Sequence, residues 1–232
     1  MMITIRPAEE RGHANFGWLD SHHTFSFGHY YDPQHMGFSS LRVINDDTVS
    51  PSMGFETHGH KDMEIISLVT QGTIAHKDSA GNIRELPAGE YQLMSAGKGI
   101  FHSEFNASRT DTLKFLQIWI QPNSVGGSPC YQQKSFGESE GFTSIITPDG
   151  RDGTLQIKQD MSLTQLILKQ QDSAKWSIKK DRRYYVHIVE GQLTLNNDIE
   201  LGQGDGAKIE QLEILTFAKR SESVKALLFD LN

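Results

Sequence analysis

Thr57-His58-Gly59-His60 and Phe101-His102-Ser103-Glu104 bracket the stretch around which the rest of this chain is organised. Each holds two metal-ligating residue types spaced i, i+2, and in a β-strand such side chains point to the same face. Each pair can therefore present two ligands to one side of a sheet. The residues between them read as short strands separated by tight turns: Ile65–Thr70, Thr73–Lys77, Ile83–Leu86 and Tyr91–Ser95. If that meander curls into a small barrel, His58, His60, His102 and Glu104 converge inside it on one metal ion.

The same pattern continues outward. Leu41–Asn45 is a plausible strand before the meander. Leu113–Gln121 follows it, with a continuous Phe-Leu-Gln-Ile-Trp-Ile run that suits a buried position. Pro122-Asn123-Ser124-Val125-Gly126-Gly127-Ser128-Pro129 is dense in turn-formers and reads as a linker. Beyond it come Leu155–Lys158, Leu163–Leu168, Tyr184–Val189, Leu193–Leu195, Ile209–Phe217 and Val224–Leu231. Amphipathic helices are not legible, so the fold class is all-β, as sandwich or barrel.

An internal repeat divides the chain. Leu68-Val69-Thr70-Gln71-Gly72-Thr73-Ile74, with Gly89-Glu90 further on, is echoed by Ile188-Val189-Glu190-Gly191-Gln192-Leu193, with Gly204-Asp205 further on. Aligning Gly191 on Gly72 places Ser177 and Lys179 where His58 and His60 stand. Aligning Gly204 on Gly89 places Phe217 and Lys219 where His102 and Glu104 stand. The expectation is therefore a metal-binding barrel over residues 1–125 and a degenerate barrel without ligands over 126–232.

Composition bounds the function. Of 232 residues, 22% are charged and 37% hydrophobic, the range of a folded globular chain, and the formal charge is −7. That charge argues against direct nucleic-acid binding, which would show a basic face. The densest basic run, Lys179-Lys180-Asp181-Arg182-Arg183, is interrupted by an Asp and reads as a solvated strand edge. A single cysteine, Cys130, excludes an intrachain disulfide and fits a reducing cytoplasm. MMITIRPAEERGH lacks the apolar core of a signal peptide, and no run approaches the roughly 20 apolar residues of a membrane-spanning helix. The first forty residues carry five of the ten histidines, His13, His22, His23, His29 and His35, without a shared ligand spacing.

Three imidazoles and one carboxylate suit Fe(II), Mn, Ni, Cu or Zn. On an octahedral ion the four would leave two positions open for substrate and dioxygen, whereas on a tetrahedral zinc they would close the site. Glu64 competes with Glu104. His58-x-His60-x3-Glu64 is similar to the first metal motif of many cupins, where that glutamate is a ligand. By strand parity Glu64 also lies on the face of His60, and it could instead accept a hydrogen bond from an imidazole N–H.

The runs His58-Gly59-His60-Lys61-Asp62-Met63-Glu64 and Ser95-Ala96-Gly97-Lys98-Gly99-Ile100-Phe101-His102-Ser103-Glu104, with the lead-in His23-Thr24-Phe25-Ser26-Phe27, resemble the pirin family. The match runs through about residues 1–125 with specific motifs. Afterwards mainly the barrel pattern carries it. In length and motif detail it is similar to the bacterial pirin-like quercetin 2,3-dioxygenases. The resemblance implies two tandem cupin barrels (double-stranded β-helix, or jelly roll), the first with a metal and the second without. It carries the family's HxH and HxE ligands onto His58, His60, His102 and Glu104, which favours Glu104 over Glu64.

The resemblance further implies a metal-dependent dioxygenase that opens the central ring of flavonols such as quercetin with release of carbon monoxide. Its cofactor would be one divalent transition metal, Fe(II) first and Cu, Ni, Mn, Co or Zn as alternatives. Its partners would be a flavonol-like aromatic and dioxygen. Glu104 would also be the catalytic base. Glu64, His23, Phe25, Phe27, Phe55 and Phe101 are the candidate pocket or supporting residues. The alternative is a non-catalytic or redox-sensing metal-bound regulator that docks on a transcription or metabolic partner. That reading would want an exposed basic or apolar patch at the metal mouth, and none is legible. A third reading, a cupin isomerase or sugar binder, would want a more polar cavity than the Phe- and Met-rich flanks offer.

Overall fold

The computed structural model describes residues 2–232. Strands account for nearly all its regular structure, and the only helical segments among the described residues are two single 3₁₀ turns, Ala8–Glu10 and Arg151–Gly153. No helix is long and apolar enough to cross a membrane. The chain forms two compact units.

The first unit comprises Gly12–Gly137 with Leu155–Gln159. Its larger sheet runs, neighbour to neighbour, Cys130–Ser135, Glu90–Ser95, Glu64–Gln71, Leu113–Ile120, Leu41–Val49, Leu19–His23 and Gly12–Asn15. Its smaller sheet runs Gly54–His60, Ile100–Asn106, Thr73–Asp78 and Ile83–Pro87. The central strands of the larger sheet are buried on both faces: Ile66, Leu68, Leu116 and Ile118 on one, Ile65, Val69 and Phe115 on the other. Burial on both faces explains why these strands read as continuous apolar runs rather than alternating ones. Among the described residues, apolar side chains inside the unit form two separate clusters. Val69, Ile74, Leu86, Leu113 and Phe115 make one, and Ile65, Met94, Ala96 and Ile100 the other.

The second unit comprises the residues up to Arg11 with Glu138–Thr154 and Asp160–Asn232. Its smaller sheet, Ser173–Ser177, Ile214–Lys219, Gln192–Leu195 and Ile199–Gly202, repeats the order of the first unit's smaller sheet. Its larger sheet contains Met2–Arg6, Gly206–Glu210, Arg183–Glu190, Val224–Leu231, Ser162–Leu168 and Gly141–Thr147 in that order. The repeat extends to the backbone. Gly72 and Gly191 carry the chain from the larger to the smaller sheet at equivalent places, with φ of 82° and 80°, and Gly89 and Gly204 lie at 87° and 86°. A Cβ at Gly191 would stand 2.1 Å from the Ser223 carbonyl oxygen, so that turn admits no other residue without movement. Phe217, aligned with His102 by the repeat, is buried in this unit's apolar core together with Leu193, Leu195 and Leu215.

Two features differ from the expected organisation. A cut between residues 125 and 126 would leave each terminal segment with its own half. Instead, Met2–Arg6 pairs with Gly206–Glu210 in the second unit, while Cys130–Ser135 pairs with Glu90–Ser95 in the first. Each larger sheet thus has one edge completed by a strand from the other half of the sequence. Both strands are short, and their residues are exposed or half-buried apart from Arg6, so hydrophobic patterning does not announce them. The expected strand Ile209–Phe217 is two strands, Gly206–Glu210 and Ile214–Lys219, broken where Gln211 adopts φ 59°.

Candidate metal centre

The smaller sheet of the first unit aims the two motifs at one another. Gly54–His60 and Ile100–Asn106 are antiparallel neighbours, with His58 opposite His102 and His60 opposite Ile100. The register then slips, so that Glu104 stands opposite Phe55 rather than Glu56. The bulged residues Glu56 and Thr57 point to solvent. One extra residue in one strand re-aims the chain on either side. Here it brings Phe55 onto the inward face beside His58, although the two are three apart. It also places the Glu56 carbonyl where the His58 Nδ1–H donates to it at 2.7 Å. That bond holds His58 in the tautomer whose Nε2 lone pair is available to a cation.

The three imidazole rings lie within 4.4–4.9 Å of one another, centroid to centroid. Ligand atoms of His58, His60 and His102 all fall within 4.8 Å of each other. Glu104 does not join that set. Its carboxylate groups instead with His102 and His76 within the same limit. The structure therefore gathers three of the four expected ligands, with His102 shared between them and a second His/Glu cluster.

Burial sets the protonation states. His60 is lowered to about 4 by burial and by the neighbouring His58. His102 is lowered to about 2 by burial and by the imidazoles of His58, His60 and His76. Both rings are thus neutral at pH 7, the state that binds a metal. Glu104 is raised to about 7 by burial and by the nearby Asp47, against the Ser67 hydroxyl. His60 Nε2, both His102 nitrogens and both Glu104 oxygens are buried without a well-formed hydrogen bond. Each such group costs roughly 1–3 kcal/mol when left unpaired. Several in one place make a donor set that a divalent cation would satisfy, and three imidazoles with a carboxylate suit a transition metal.

Sequence reading missed several neighbours. His76, on Thr73–Asp78, stands opposite Glu104, and Asp78 stands opposite His102. His76 Nε2 and Asp78 Oδ2 are 3.2 Å apart and both side chains are buried. The His76-x-Asp78 spacing is the same i, i+2 signal that marked the two motifs, and it was there to be found. Tyr131 packs on His76 at 4.9 Å, from the strand whose partner only the tertiary fold reveals. A further trio, His13, Asp20 and His22, clusters on the exposed hairpin Gly12–His23, where His13 pairs with Asp20 and stacks on His22.

His58 and His60 open onto a cavity of about 740 Å³. Phe27, Tyr30, Phe55 and Trp119 give it aromatic walls, and Ser21, His23, Asn45, Asp47 and Gln117 give it a polar one. Such a volume accommodates a drug-sized ligand. Of the expected pocket residues, His23, Phe27 and Phe55 line this cavity. Phe25 does not: the strand ends at His23, and Phe25 is fully buried in the packing behind it. Phe101 does not either. It neighbours the inward His102 along its strand and so faces outward, 61% exposed. Glu64 also faces away from the histidines. Parity from His60 is lost at the turn Lys61–Met63, where Asp62 has φ 49°. Glu64 Oε2 then accepts hydrogen bonds from the Ser95 hydroxyl at 2.9 Å and the Lys158 backbone N–H at 3.2 Å.

Comparison with known proteins agrees with this architecture. Residues 4–120 match the family model described as Pirin, and residues 144–231 match that of the quercetinase C-terminal cupin domain. The chain is 48% identical over 230 residues to a quercetin 2,3-dioxygenase of Escherichia coli K12, covering 99% of both. It is 37% identical over 232 residues to a pirin-like protein of Caulobacter vibrioides, covering 98% of this chain and 99% of that one. Among solved structures it superposes on the bacterial pirin YhhW of Escherichia coli in complex with nickel(II), with a TM-score of 0.95 and 47% identity over 99% of each chain. Both units have the cupin architecture that the sequence motifs implied.

Proposed function

The chain belongs to the pirin family, and from that premise we propose that it is a metal-dependent enzyme of the quercetin 2,3-dioxygenase kind. Its reaction would open the central ring of a flavonol: the ring carbon bearing the hydroxyl leaves as carbon monoxide, and both atoms of dioxygen stay with the opened product. The observation that carries this reading is the meeting of two features. The half-buried imidazoles of His58 and His60, the latter with Nε2 unpaired, line an aromatic-walled cavity large enough for a flavonol, and His102 packs against both. A regulator that only displayed a metal to a partner would not need such a cavity.

His58, His60 and His102 would hold the metal, with Fe(II) as the expected ion and nickel supported by the relative that binds it. When bound, the metal would supply Lewis acidity, lowering the pKa of a flavonol hydroxyl. The chain supplies the rest. The rings of Phe27, Phe55 and Trp119 hold a flat ligand against His58 and His60. Trp119 stands edge-on to His60 at 5.0 Å, and Phe27 edge-on to Trp119 at 5.3 Å, so these walls brace one another. Glu104 acts as general base for the hydroxyl proton. Its raised pKa of about 7 matches a group that must both take and release a proton near neutrality. The same carboxylate would be the fourth ligand beside His58, His60 and His102, bound weakly enough to swing off and take the proton.

The test is anaerobic addition of quercetin to protein of known metal content, followed by oxygen, with absorbance and carbon monoxide as readouts and His58→Ala as control. Metal-dependent loss of quercetin with carbon monoxide supports the reading. A metal-loaded protein that consumes no flavonol with any of several metals overturns it.

A further inference from the structure

We propose that the polar wall of the cavity, built by Gln117, Asn45 and His23 with Asp47 and Ser21 alongside, is a subsite that reads phenolic hydroxyls. It would select flat aromatics that carry hydroxyls beyond their metal-chelating edge. The inference rests on the flavonol reading above and adds to it which part of the protein distinguishes one flavonol from another.

Three neighbouring strands build the wall in register. Gln117 stands opposite Asn45, and Asn45 opposite His23. On the same face, two residues along, Asp47 stands opposite Ser21. All five side chains belong to residues 1–6% exposed, in the interior of a barrel whose flanking positions are Val, Leu, Ile and Phe. Burying such groups costs free energy unless they are hydrogen-bonded. Four of them are. His23 Nδ1 lies 2.8 Å from Asn45 Oδ1, the Ser21 hydroxyl donates to Asp47, and Ser21 Oγ lies 3.4 Å from His23 Nδ1. The network holds Asn45 and Asp47 in fixed orientations.

Gln117 is the exception. Its carboxamide lines the cavity, is 6% exposed, and makes no hydrogen bond among the described residues. Two residues along the same strand and on the same face, the Trp119 indole Nε1–H is buried without a partner. With no protein partner, the Gln117 carboxamide presents its donor and acceptor to the cavity itself, where a ligand can meet them. The groups make sense with a ligand that donates and accepts hydrogen bonds across that wall. Phenolic hydroxyls do both. The aromatic walls bind any flat ring, hydroxylated or bare. The polar wall discriminates, because a bare ring desolvates it and leaves it unpaired, and sites of that kind reject the analogue lacking the hydroxyl.

Two flavonols isolate the effect, because both carry the same chelating edge. Quercetin bears hydroxyls on its outer rings, and 3-hydroxyflavone bears none. Their affinities for metal-loaded protein are measured by titration with oxygen excluded. Wild type should bind quercetin at least about tenfold more tightly. Gln117→Met should keep the thermal stability of wild type, since the carboxamide has no protein partner to lose and the volumes are similar, yet narrow that ratio at least fivefold through weaker quercetin binding. Asp47→Asn should narrow it as well. Equal affinity of wild type for both flavonols overturns the proposal, as does a ratio that neither variant moves. If 3-hydroxyflavone binds while the ratio stays put, the subsite alone falls. If neither flavonol binds, the flavonol reading falls and the subsite with it.

Discussion

His102 offers the sharpest test of the metal centre, because its two states in the protein predict opposite effects on stability. Without metal, the ring is 1% exposed and neither nitrogen has a hydrogen bond. The imidazole is already pushed to about 2 by burial and by the three neighbouring imidazoles, so no charge is lost on replacing it. His102→Leu therefore removes two unpaired buried nitrogens and keeps most of the volume. The desolvation penalty recovered, roughly 1–3 kcal/mol, offsets the imperfect fit of the new side chain. The metal-free variant should be as stable as metal-free wild type, or more stable by up to about 2 kcal/mol. With metal the order reverses. An ion at a hundred times its dissociation constant stabilises wild type by about 2.7 kcal/mol. For a chain of this length that corresponds to roughly 5–10 °C in Tm. The variant should lose that rise. The assay is thermal unfolding followed by circular dichroism, with and without metal, on protein of measured metal content. A metal-free variant destabilised by more than about 2 kcal/mol would show that His102 is a satisfied structural group. A variant that keeps the full metal-induced rise would remove it from the ligand set.

Two further outcomes follow from buried ionisable groups. Glu104→Gln should retain metal while turnover of a flavonol falls about 10²–10⁴-fold, the usual contribution of a positioned base, and full turnover with metal loaded would refute that role. His187, in the second unit, is lowered to about 3 from 6.5 by burial and by Arg11, so it is neutral when folded and protonates on unfolding in acid. Its neutral form contributes stability that is complete above pH 6.5 and is lost as the pH falls toward about 3. At 1.36 kcal/mol per pH unit the loss approaches roughly 5 kcal/mol. His187→Leu should therefore flatten the acid limb of stability between those values, as read from urea unfolding at a series of pH values, and an unchanged acid limb would refute it.

What could be read from the residues alone was whatever depends on period two and on turn chemistry. HxH and HxE at strand spacing located the candidate ligands on one face of their strands, because alternation is a property of the extended backbone and needs no knowledge of the fold. Gly72 and Gly191, and Gly89 and Gly204, disclosed the duplicated barrel, because each turn requires a positive φ that glycine adopts freely. The same logic applied to His76-x-Asp78 would have added those two residues. Parity failed wherever the backbone departs from a regular strand. The turn at Lys61–Met63 sends Glu64 to the far face, and the bulge at Glu56-Thr57 brings Phe55 to the near one. Only the tertiary structure decided which strands complete each larger sheet, since Met2–Arg6 and Cys130–Ser135 are short, carry no buried apolar face and pair with distant sequence. It alone set Gln117 beside Asn45 and His23, and put Glu104 with His76 rather than with His58 and His60. Those relations depend on cross-strand register, which is settled by the packing of whole faces and leaves no mark within any one strand.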